Sequence, residues 1–190
     1  MARRWWAEAR GTLVVTALLC LVFAAEVALG AVGDPRALLD LGAFPNDGLI
    51  QGQWWRLFTH AFLHVSWWQL LASVALLAGA GHVVESRVGT ARWAAVYAAG
   101  VIVSGAMLLL VRTVTPTEGA AAGASAAACG MLAAAMVIAR NRRRDRRLRP
   151  WLWAGLAAAL GLSFVPGLSL MGHASGLVTG ALLGIIFAGL

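Results

Sequence analysis

Two side chains in this 190-residue chain could pair a nucleophile with a base: Ser125, in the run GAAAGASAAACG, and His173, in MGHASGLVTG. A serine hydroxyl attacks poorly until a neighbouring base removes its proton, and imidazole suits that task near neutral pH. Both residues lie in otherwise apolar segments, where a polar or ionisable side chain is costly and reads as functional. Acyl-transfer chemistry would require the two, far apart in sequence, to meet at one depth.

The elements that must bring them together are membrane spans. Hydrophobic residues make up 61% of the chain and charged residues 12%, and the mean hydropathy is +0.79. That leaves too little polar surface to coat a soluble globule, so the expected class is an all-α polytopic membrane protein. All fifteen basic residues are arginine, and seven fall between Arg140 and Arg149. The net charge of +7 therefore reflects one local run, which suits a cytoplasmic loop beside anionic head groups and gives no reason to expect a nucleic-acid partner. Cys20 and Cys129 have no disulfide or zinc spacing and read as small buried hydrophobes.

A hydrocarbon core of ~30 Å needs roughly 20 helical residues. Six apolar windows meet or approach that length, at 13–32, 66–84, 93–111, 122–139, 151–165 and 169–189, the fifth short and ended by Pro166 and Gly167. The first could imitate a secretory signal, but its length and Glu26 favour an uncleaved span. With a cytoplasmic N-terminus, Arg3, Arg4, Arg10, Arg87, Arg92 and the seven of the 140–149 run lie inside, and only Arg36, Arg56 and Arg112 outside. Twelve against three selects this orientation. Trp5, Trp6, Trp93, Trp151 and Trp153 then mark the inner interface, and Trp54, Trp55, Trp67 and Trp68 the outer one.

In that orientation the second, fourth and sixth spans all enter from outside, with Ser125 and His173 each a few residues below the outer surface. Small residues permit a close approach. Gly123, Ala124, Ala126, Ala127, Ala128 and Gly130 surround Ser125, while Gly176, Gly180 and Gly184 form a four-residue ladder after His173.

From Gly52 to Gly184 the sequence resembles the rhomboid intramembrane serine proteases. GQWWRLFTHAFLHVSWW looks like their first-loop signature, with Trp55, Arg56, Thr59, His60 and His64. GHVVESRVG matches the end of their second span through Glu85 and Gly89, GASAAACG supplies GxSx through Gly123 and Ser125, and HASGLVTG supplies HxxGxxxG through His173, Gly176 and Gly180. The resemblance implies a six-transmembrane-helix core, here a single membrane domain over 1–190, with a water-accessible cavity on the outer side. There a Ser125–His173 dyad would cleave single-span membrane protein substrates near their outer end, without a third carboxylate, cofactor or metal. It also implies an oxyanion site on the second span, where the family carries a histidine and an asparagine one turn apart. This chain carries Gln69 and Ser73, whose i, i+4 spacing shares one helix face and whose side chains both retain a donor. A bacterial plasma membrane is the expected location, and the lipid bilayer the expected surroundings.

The remaining polar groups invite plainer readings. His60 and His64 are spaced like metal ligands but lack a third, so a structural role in the first loop is expected. His82 lies near the inner end of its span, and Tyr97, mid-span, is expected to find a hydrogen-bond partner. Glu26 has two open readings, a bond to a neighbouring helix or exposure to the cavity. Arg56 beside Trp55 suits an interfacial anchor. Too few residues lie outside the spans to form a soluble accessory domain. The competing function is a rhomboid-like pseudoprotease that holds client transmembrane helices without cutting them. A small transporter has no inverted repeat or mid-membrane carboxylate pair behind it.

Overall fold

The computed structural model describes residues 9–47, 51–115, 119–140, 143–163 and 170–189. Arg3, Arg4, Trp5, Trp6, Arg142, Pro166 and Gly167, all used in the sequence reading, lie outside the described residues. In chain order come α1 (Arg10–Ala28), α2 (Pro35–Asp40), β1 (Phe44–Pro45), α3 (Arg56–Thr59) and α4 (Trp67–Val88). After them come α5 (Thr90–Val114), β2 (Ala120–Ala121), α6 (Ser125–Ala139), a 3-10 turn (Arg143–Leu148), α7 (Arg149–Leu162) and α8 (Leu170–Ala188). Among the described residues four helices, α1, α4, α5 and α8, are long and apolar enough to cross a membrane.

Local chemistry sets the helix ends, and several differ from the apolar windows. α1 stops at Ala28 because Gly30 turns left-handed (φ 67°) and the N–H groups of Gly30 and Ala31 bond back to Val27 and Glu26. α4 runs past residue 84 to Val88 and ends on Gly89 (φ 84°), with a π-helical turn over Leu77–Gly81. Glu85 remains in that helix because its carboxylate serves another one. It accepts from the backbone N–H groups of Gly11 and Thr12 at 2.7 and 2.9 Å, capping the first turn of α1. α7 begins at Arg149, with Pro150 in its first turn.

At only 15 residues, α6 spans about 22 Å, short of the ~30 Å hydrocarbon core. It is the central helix, with every residue from Ala126 to Ala135 buried, so its neighbours rather than lipid cover it. Its closest partner is α8. A Cβ on Gly176 would collide with the Ala126 carbonyl, one on Gly180 with the Gly130 carbonyl, and one on Gly184 would sit 3.0 Å from the Ala134 Cα. Bare backbone against bare backbone sets the register of the two helices. Outward faces are apolar, as Val14, Leu21, Leu110, Val178 and Ile185 show by their exposure.

Three expectations fail. Trp93 is not an interfacial anchor: it is buried, stacked on Tyr97 at 5.8 Å, because Gly11 and Gly81 leave room for its indole. The Tyr97 hydroxyl has no hydrogen-bond partner among the described residues, since stacking and burial rather than a polar neighbour seat that ring. Cys20 is exposed on the outward face of α1, and only Cys129, on the enclosed α6, is buried.

Candidate active site

Ser125 opens α6, rather than lying a few residues inside a helix, because the chain just before it is held in other conformations. β2 pairs antiparallel with β1, Phe44 opposite Ala121 and Pro45 opposite Ala120. The Gly123 N–H donates to the His60 carbonyl at 2.9 Å, and the Ala124 N–H points at His64 Nε2 from 3.5 Å. Gly123 adopts φ 141°, which L side chains rarely reach, and a Cβ there would strike the Gln69 amide. The first loop therefore braces the turn that presents the serine. As the first residue of a helix, Ser125 also keeps its backbone N–H free of an intrahelical acceptor, at the positive end of the helix dipole.

His173 comes from the first turn of α8 and is 4% exposed. Its Nε2 lies 2.9 Å from Ser125 Oγ. The glycine register explains the meeting: Gly176 and Gly180, three and seven residues beyond His173, sit on Ala126 and Gly130, one and five beyond Ser125. On the far side of the ring, His173 Nδ1 lies 2.6 Å from the Ser163 hydroxyl at the end of α7, which is also 2.7 Å from the Ala159 carbonyl. Sequence reasoning missed Ser163. Its only signal was a hydroxyl at the end of the fifth apolar window nearest His173 in the chain.

Gln69 and Ser73 share the buried face of α4 that looks toward Ser125. Gln69 is committed at both ends, its Oε1 accepting from the Val65 N–H at 3.0 Å and its Nε2 donating to the Ala122 carbonyl at 2.8 Å. One amide hydrogen remains, since an NH2 group carries two. Ser73 Oγ has no hydrogen-bond partner among the described residues and borders a void of ≈ 20 Å³ shared with Ser125 and His173. A second cavity of ≈ 60 Å³, lined by His60, Gln69, Gly123, Ser125, His173 and Arg112 among others, has room for a few water molecules.

The first-loop polar residues act inside the protein. His60 Nδ1 donates to the Arg56 carbonyl at 2.9 Å, Glu26 accepts from the His64 backbone N–H, and Arg56 donates to the carbonyls of Leu39 and Ala43. Glu26 thus bonds a loop, which neither of its two earlier readings named. Burial pushes both loop imidazoles down to about 4, so His60 and His64 are neutral at pH 7. No group of three or more His, Cys, Asp or Glu among the described residues is arranged to hold a metal ion.

With this geometry in view, the rhomboid domain family matches residues 51–190. The chain belongs to the rhomboid family. It is similar to Rhomboid protease GluP of Bacillus subtilis (strain 168), 31% identical over 110 residues, which are 58% of this chain and 22% of that protein. It is also similar to Rhomboid protease GlpG of Enterobacter sp. (strain 638), 32% identical over 94 residues, 50% of this chain and 33% of that one. The matched part is thus a third or less of these relatives' own length. Family membership and the four long apolar helices make this rhomboid an integral, multi-pass membrane protein.

Proposed function

We propose that this rhomboid is an intramembrane serine endopeptidase, a single membrane domain over 1–190 that crosses the bilayer six times and cuts single-span membrane proteins near their outer end. The observation that carries the reading is the 2.9 Å contact between His173 Nε2 and Ser125 Oγ. His173 takes the hydroxyl proton as Ser125 Oγ bonds to the scissile carbonyl carbon, and then gives it to the leaving amine as the C–N bond breaks. The Ser125 backbone N–H and the remaining Gln69 amide hydrogen receive the oxyanion. Water from the cavity of ≈ 60 Å³ then attacks the acyl carbon, and His173 takes its proton and returns it to Ser125 Oγ as the acyl C–Oγ bond breaks.

The arginine distribution supports a cytoplasmic N-terminus, which puts Ser125 near the outer face of what we infer to be a bacterial plasma membrane. Two observations favour the pseudoprotease alternative: Ser73 stands where the resemblance expects an asparagine, and Gln69 already donates to Ala122. Co-reconstitution in proteoliposomes with a panel of single-span substrates separates the two. The protease reading expects fragments that Ser125→Ala and His173→Ala eliminate. Retention of intact substrates by wild type, with no fragments from any of them, would support the binder instead.

A further inference from the structure

Ser163 Oγ sits between the Ala159 carbonyl and Nδ1 of His173. A hydroxyl has one hydrogen to give, and Ser163 Oγ has two close neighbours, the Ala159 carbonyl at 2.7 Å and His173 Nδ1 at 2.6 Å. The carbonyl can only accept. If the hydroxyl proton went to Nδ1, two oxygens would face each other at 2.7 Å with lone pairs opposed. With the proton on the Ala159 side, Nδ1 must supply its own hydrogen, and Nε2 is left with a free lone pair 2.9 Å from Ser125 Oγ.

We propose that Ser163 is a positioning residue: it holds His173 as the Nδ1–H tautomer, the form whose Nε2 can act as a base toward Ser125. The inference rests on the protease reading for its consequence, but not for its geometry. The chain Nδ1–H to Ser163 Oγ–H to the Ala159 carbonyl is directional, and each bond polarises the next. When Nε2 takes the serine proton, the resulting imidazolium needs acceptors on both nitrogens, and Ser163 is already in place on one. A neutral hydroxyl does the orienting work that a carboxylate does in a Ser-His-Asp triad, with less stabilisation of the charge. Ser163 is 5% exposed, so water does not readily replace it. Because it caps the end of α7, the seating of that helix against α8 governs whether the histidine is in its reactive form.

The test is ¹⁵N NMR of the full-length protein in detergent with labelled histidine, the His173 signals being assigned by their loss in His173→Ala. Wild type is expected to show His173 as the Nδ1–H tautomer, Ser163→Ala to lose that preference, and Ser163→Thr, which keeps the hydroxyl, to retain it. Turnover should follow: Ser163→Ala lowers kcat roughly tenfold at unchanged KM, about the factor that one neutral hydrogen bond supplies, and Ser163→Thr restores most of it. A wild-type His173 protonated on Nε2 overturns the proposal without any Ser163 variant, as does a Ser163→Ala protein with the same tautomer and kcat as wild type. The tautomer is read without turnover. A protein that cuts nothing yet holds Nδ1–H through Ser163 therefore refutes the protease reading and leaves the positioning role standing.

Discussion

At the scale of single residues, the site departs from its family resemblance where a transition state would be stabilised. Removing one oxyanion donor typically costs ~2.7–4 kcal/mol, or 10²–10³ in rate. Gln69→Ala should therefore slow cleavage about a hundredfold or more, read as kcat on a reconstituted substrate, and it also frees the Ala122 carbonyl. Ser73→Asn should leave the rate equal or higher, because the longer amide can extend into the void of ≈ 20 Å³ beside Ser125. Inactivation by that change would mean the oxyanion lies elsewhere. His60 and His64 carry a pH prediction. Unfolded, each takes up a proton near 6.5, but folded only near 4, so the stability they lend is complete above about 6.5 and is lost as pH falls toward 4. Thermal unfolding in detergent should show a falling Tm across that window and a shallower fall in His64→Gln. Equal slopes would contradict it.

At the scale of elements, most of the architecture was legible and most of the bracing was not. Apolar runs gave approximate helix positions because a span needs length and hydrophobicity, both local properties. Helix ends were harder, since they depend on a left-handed glycine at Gly30 or on a distant carboxylate, Glu85, that caps α1. The glycine ladder was visible as spacing, but its partners on α6 were not, because register is a property of two helices together. It yields a paired prediction. Gly180→Ala places a methyl on the Gly130 carbonyl and should destabilise by roughly 1–3 kcal/mol, as overpacking does, and separate His173 from Ser125. Gly161→Ala, with open space around its Cβ position on α7, should be neutral or stabilising by up to about 1 kcal/mol. Tm values in one detergent decide the pair, and equal losses would contradict close packing at Gly180.

For the whole molecule, the Ser125–His173 contact was readable as two polar residues in matching apolar spans, whereas Ser163 was not, because nothing in the chain marks which hydroxyl will face an imidazole across a helix junction. Trp93 carries the same lesson: an indole near a span end suits an interface, and only the packing of α1 against α4 shows it enclosed. Orientation is a whole-molecule property as well. Reporter fusions at the N-terminus and in the 140–149 run should both report the cytoplasmic side, and opposite sides would refute the span count. The account depends most on the Ser125 hydroxyl being activated by His173, and a fluorophosphonate probe on membranes measures that directly. Labelling should occur in wild type, map to Ser125, and vanish in both Ser125→Ala and His173→Ala; labelling of equal intensity in wild type and Ser125→Ala would contradict it.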